Sequence, residues 1–141
     1  MNATRREFRF FLLAGRMSVC RLEPETAIPD WATTGVFFSV TRTADELSVV
    51  CPEGSVPGEV RGEGGWRVLK LEGPFEFSEV GVLSSVTAPL AEAGVGVFAV
   101  STFDTDYLLV KEDHLGSAVA ALRGRGHEVL RTPTLPKEET C

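Results

Sequence analysis

The stretch VGVFAVSTFDTDYLLVKEDHLGSAVAALRGRGHEVLR, residues 95–131, decides the fold. Residues 95–101 and 107–111 are β-branched, aromatic or aliphatic runs around a short polar turn, which reads as two paired strands. Leu115, Ala118, Val119 and Leu122 then recur at i, i+3, i+4 and i+7, one apolar stripe of a helix. Glu112 and Asp113 stand at its positive end, Arg123 and Arg125 near its negative end, and Gly126 just past it. Residues 127–131 supply a further strand.

Moving toward the N-terminus, residues 66–71 read as a strand that Gly73-Pro74 breaks. Residues 78–93 read as a helix on the spacing of Val80, Leu83, Val86, Thr87 and Leu90. Ser78 is the expected N-cap and Gly94 the expected C′ residue. Pro89 conflicts with this helix, because it removes the bond to the Ser85 carbonyl and should kink or shorten it. Residues 66–131 thus run β-α-β-β-α-β. That order predicts an α+β, ferredoxin-like plan: a four-stranded antiparallel sheet with two helices on one face.

The first half shows strands over 8–14 and 17–22, one helical turn within 28–32, and a hairpin from 36–42 and 47–51. Residues 52–65, rich in Gly and Pro, read as a linker or loop. A weak repeat is visible at a spacing that sets Phe38-Ser39-Val40-Thr41 on Phe98-Ala99-Val100-Ser101, with Glu46 on Asp106 and Leu47 on Tyr107. The expected organisation is two related modules, residues 1–58 with abbreviated helices and residues 59–132, then a loose tail over 133–141.

Composition narrows the function classes. The chain has 141 residues and a net charge of −6. An acidic balance argues against nucleic acid or an anionic membrane as the main partner. No apolar run nears the ~20 residues that cross a bilayer. Arg5-Arg6 invites a reading as an export signal, but the apolar run Phe10–Ala14 falls short of the about 7–15 residues such a signal needs. Cys20, Cys51 and Cys141 are widely spaced and unaccompanied by histidine at ligand spacing, so neither a zinc site nor a disulfide framework is expected. Reduced thiols in the cytoplasm are the expectation, with Cys20 and Cys51 in the core and Cys141 exposed.

The catalytic inventory is thin. His114 and His127 read as surface or cap residues. Phosphate-binding and dinucleotide-binding glycine motifs are missing from useful contexts. A small hydrolase of this fold would need a positioned asparagine, and the chain has only Asn2. No catalysis, no cofactor and no metal are expected.

Two segments are denser than a core requires. Residues 72–83 join a strand to a helix N-terminus, where free N–H groups suit a carboxylate. Residues 101–110 cross from one strand to the next and carry Asp104 and Asp106, which suit a small cation such as an α-ammonium group.

These segments, with Gly65–Pro74, Gly81-Val82-Leu83 and Pro89–Val95, resemble ACT-domain proteins, and in particular small bacterial tandem-ACT proteins. Similar modules occur in aspartokinase regulatory regions and in the CASTOR arginine sensors. The resemblance implies amino-acid sensing rather than catalysis. It implies a ligand bordered by Phe77, Ser78, Glu79, Val80 and Gly81, with Ser101, Thr102, Asp104 and Asp106 facing it from the hairpin. Glu79 and Asp106 match the acidic positions of the CASTOR-like pattern, whereas Val80 stands where many ACT domains have proline. The implied partners are a free amino acid, one with a basic side chain being favoured by the acidic residues, a second copy in a homodimer, and a regulated protein not named by the sequence. The alternative is a ligand-free interaction or dimerisation module of the same fold.

Overall fold

The computed structural model describes residues 6–75 and 80–131. In chain order the strands are β1 (Arg9–Leu12), β2 (Met17–Leu22), β3 (Ser39–Arg42), β4 (Leu47–Pro52), β5 (Gly62–Leu71), β6 (Phe98–Ser101), β7 (Asp106–Lys111) and β8 (Glu128–Arg131). The helices are α1 (Val82–Glu92) and α2 (Leu115–Gly124). Two compact units emerge among the described residues: Gly15–Trp66, and residues 6–14 together with those described from 67 to 131. The first unit is therefore an insertion into the second. This divides the chain differently from the expected 1–58 and 59–132, because the opening strand pairs with distant partners.

In the unit that holds both helices, the strands lie in the order β6-β7-β5-β1-β8. The four-stranded sheet expected there is thus widened by β1, which enters between β5 and β8. It runs antiparallel to β5, Phe10 opposite Leu71, and parallel to β8, Phe10 opposite Val129. Phe8, Phe10 and Leu12 alternate into the core, as the two-residue period of a strand requires. Val82, Val86 and Leu90 of α1 and Ala118 and Leu122 of α2 are buried in the same core as Leu69, Leu71, Leu108 and Val110. Each fully buried aliphatic or aromatic side chain contributes about 1.5–3 kcal/mol.

The helix expected over 78–93 begins at Val82, with Gly81 rather than Ser78 at the N-cap position. Gly81 has φ +82°, a left-handed conformation that no first-turn helical residue can hold. Ser78 itself lies outside the described residues. Pro89 remains inside the helix and buried. Gly94 ends α1 as expected, with Val95 N–H reaching back to the Leu90 carbonyl at 2.9 Å; past α2, His127 N–H reaches Leu122 in the same way at 3.1 Å. His127, expected at the surface or in a cap, takes part in this cap through its backbone, but its side chain is not at the surface. It is buried, its Nδ1 accepts the Phe8 N–H at 3.0 Å, and its ring meets that of Phe10 edge-on at 5.9 Å.

The inserted unit has the order β3-β4-β2-β5, all antiparallel. Short 3-10 turns, Asp30–Thr33 and Glu53–Ser55, stand where the other unit has α1 and α2. Its core gathers Cys20, Ala32, Leu47, Val49 and Cys51. The segment read as a linker over 52–65 is in part strand: Gly62 and Glu63 pair with Cys20 and Val19. Backbone pairing holds this glycine-rich end, and a Cβ at Gly62 would come within 2.9 Å of the Cys20 Sγ.

The hairpins β3–β4 and β6–β7 are internal counterparts, displaced from the spacing read in the sequence by one residue. β3 begins at 39 and β6 at 98, β4 at 47 and β7 at 106, so 59 residues separate each pair. The turns match in detail. Thr43 N–H donates to the Glu46 carbonyl at 2.9 Å, and Thr102 N–H to that of Thr105 at 2.8 Å. Thr43 Oγ1 accepts the Glu46 N–H at 3.2 Å, and Thr102 Oγ1 that of Thr105 at 3.3 Å. Among the described residues no helix is long and apolar enough to cross a membrane.

Candidate functional site

The β6–β7 turn faces the N-terminus of α1 across an open cavity of about 530 Å³. Each wall is set by local structure. On one side Gly81 turns the chain into α1 without a capping side chain, so the amides of Val82, Leu83 and Ser84 have no intrahelical acceptor. The helix dipole adds partial positive charge there. Ser84 hydroxyl donates back to the Gly81 carbonyl at 3.3 Å.

The opposite wall is Ser101–Asp106. Thr102 closes the turn by the bonds given above. Thr105, buried, donates its hydroxyl to the Leu71 carbonyl at 2.6 Å, and Phe75 N–H donates to the Asp104 carbonyl at 2.8 Å. These bonds clasp the turn to the chain leaving β5. The approach is close enough that a Cβ at Gly73 would lie 2.8 Å from the Asp104 carbonyl oxygen. Ser101 hydroxyl donates to Asp106 Oδ1, which orients that carboxylate at the cavity edge.

Of the expected site residues, the structure brings Gly81, Ser101, Thr102, Asp104 and Asp106 to this one cavity. Val80 is 93 % exposed and is not among the residues that line it. Phe77, Ser78 and Glu79 lie outside the described residues. Phe75, Leu83, Thr87 and Phe103 also line the cavity and were not singled out from sequence. Leu83 and Thr87 are four apart on α1 and share a face; their period resembled that of core residues such as Val86 and Leu90.

The electrostatics are one-sided. Among the described residues, two lining residues are acidic and none is basic. A second cavity of about 410 Å³ contrasts with it, since there Arg9 answers Glu128 at 2.8 Å and Glu72 at 3.8 Å. Among the described residues the first cavity therefore sets carboxylates with no basic partner opposite the N-terminal amides of α1, an arrangement suited to a zwitterion. Among the described residues no group of three or more His, Cys, Asp or Glu is placed to hold a metal ion.

Fold and cavity define a ferredoxin-like α+β protein with a candidate small-molecule site at a helix N-terminus. The chain contains an ACT domain. The ACT-domain model matches residues 61–124, and a second model, for an N-terminal domain, matches residues 15–59. A crystal structure of an Agrobacterium tumefaciens protein is 42 % identical, with a TM-score of 0.86, covering 91 % of this chain and 96 % of that one. The human cytosolic arginine sensor for mTORC1 subunit 1 is 38 % identical over 61 residues. That match covers 43 % of this chain and only 18 % of the sensor. The regulatory subunit of aspartate kinase from Thermus thermophilus, ligand free, shares the fold at 9 % identity, TM-score 0.53, covering 79 % of this chain and 93 % of that one.

Proposed function

We propose that this chain is a cytoplasmic amino-acid-binding regulatory protein without catalysis of its own, acting as a homodimer on a separate regulated protein. One observation carries the reading: Asp104 and Asp106 face the N-terminal amides of α1 across a cavity with no basic lining residue among the described residues. A ligand α-carboxylate would sit on the amides of Val82 to Ser84, and its α-ammonium beside Asp106. The remaining carboxylate favours a ligand with a basic side chain, because a charged group leaving water needs a partner. The kinship with an arginine sensor supports the same ligand class.

A calorimetric and thermal-shift panel of the common amino acids tests this. Lysine or arginine should raise the melting temperature and aspartate should not. The proposal fails if no amino acid binds at millimolar concentration. A ligand-free docking module is the second reading, favoured by the exposure of Phe103 (78 %) beside the cavity. Asp106→Ala separates the two: loss of ligand binding supports the first, whereas a change in association state alone supports the second.

A further inference from the structure

The matched hairpins differ where the first strand gives way to the turn. Ser101 occupies that position in one unit and Arg42 in the other. Arg42 is exposed, yet its side chain is held against the chain. Its guanidinium donates to the Pro24 carbonyl and, at 2.9 Å, to that of Thr26.

Those carbonyls lie two and four residues past the end of β2 at Leu22. In the other unit, Gly73 and Phe75 lie two and four residues past the end of β5 at Leu71. Phe75 lines the cavity from that side, and Ser101 lines it from the hairpin side. Within residues 15–66, Arg42 therefore spans from the hairpin to the segment past β2, where the other unit has Ser101 and Phe75 on two sides of the cavity. A second clasp accompanies it: Arg21 donates to the Asp45 carbonyl at 2.8 Å and to Glu23 at 3.0 Å. Asp45 is the counterpart, 59 residues earlier, of cavity-lining Asp104.

We propose that residues 15–66 contain a second copy of the site, a guanidinium site filled in cis by Arg42. The acceptors are two backbone carbonyls, which have no proton to give. A planar guanidinium presents forked donors to such a pair, whereas an ammonium offers a single point charge. The chain thus carries one open site and one that supplies its own ligand group. This assignment does not depend on what the open cavity binds.

The test is chemical rescue in the full chain. Arg42→Ser installs the residue of the open unit and should lower the melting temperature by a few degrees. Millimolar methylguanidinium should then restore part of that loss by binding the folded state, methylammonium should not, and the unmodified chain should respond to neither. Arg42→Ala, which empties the same space without adding a hydroxyl, should also be raised by methylguanidinium, and it carries the test if the serine variant does not fold. An Arg42→Ser melting temperature equal to that of the unmodified chain overturns the proposal. So does an equal response of variant and unmodified chain to methylguanidinium.

Discussion

The buried hydroxyl of Thr105 donates a 2.6 Å hydrogen bond to the carbonyl of Leu71, the last residue of β5. This bond ties the acidic hairpin turn to the chain that leads toward α1. Thr105→Val keeps the shape and removes the donor, leaving a buried carbonyl without that partner. The expected cost is about 1 kcal/mol or somewhat more. Thr105→Ser should keep most of the stability. Urea unfolding midpoints for both variants check this, and a valine variant as stable as the original would show the bond to be dispensable.

Gly73 makes the same clasp possible from the other side. A Cβ there would stand 2.8 Å from the Asp104 carbonyl oxygen and 3.0 Å from the Thr105 Cβ. Both obstacles are close to the backbone, so neither can swing aside. Gly73→Ala should cost about 1–3 kcal/mol. Gly96→Ala serves as the control, since nothing lies within 4 Å of its Cβ position. Thermal melts of the two variants should separate clearly.

The sequence-level reading succeeds where the cause is local and stops where it is not. The stripe Leu115, Ala118, Val119 and Leu122 reports α2 because helix period acts within ten residues. Nothing near Phe10 reports that it will face Leu71 and Val129, so the entry of β1 between β5 and β8 is invisible to periodicity. The repeat slipped by one residue because apolar matches weigh heavily in any alignment. The true spacing instead matches Thr43 to Thr102 and Asp45 to Asp104, the residues that shape the turn. For the cavity, Ser101 to Asp106 were legible as a polar interruption between apolar runs. Leu83 and Thr87 were not, since a helix face that lines an open cavity has the same spacing as one that lines a core.

Asp106 should matter for binding and little for folding. It is partly exposed, and among the described residues its carboxylate is held by the Ser101 hydroxyl alone. Asp106→Asn keeps the shape and removes the charge. Affinity for a basic amino acid should fall by about tenfold or more, the loss expected when a charge-assisted contact of 1.5–3 kcal/mol is removed. The melting temperature without ligand should stay nearly unchanged. Ser101→Ala should weaken binding less, since it frees the carboxylate without removing it. Calorimetric titration of both variants checks the order, and an Asp106→Asn variant with full affinity would remove this residue from the site.

Cys51 gives the inserted unit a distinctive alkaline behaviour. Its side chain is fully buried on β4 in the core that also holds Cys20. Burial, and secondarily the neighbouring Cys20, push its thiol up from 9.0 to about 11. The thiolate is the reactive form, so Cys51 should resist alkylation in the folded protein near neutral pH and react once the chain is unfolded. Stability follows the same displacement. Between 9.0 and about 11 the folded state keeps a proton that the unfolded state has lost. Stability is therefore complete below that window and declines as pH rises through it. Cys51→Ala should flatten the decline relative to the unmodified chain, whatever other groups titrate in both. Urea midpoints measured across the window make the comparison, and mass spectrometry of alkylated peptides locates the protected thiol. Parallel pH profiles for the two proteins would mean that Cys51 titrates alike in the folded and unfolded states.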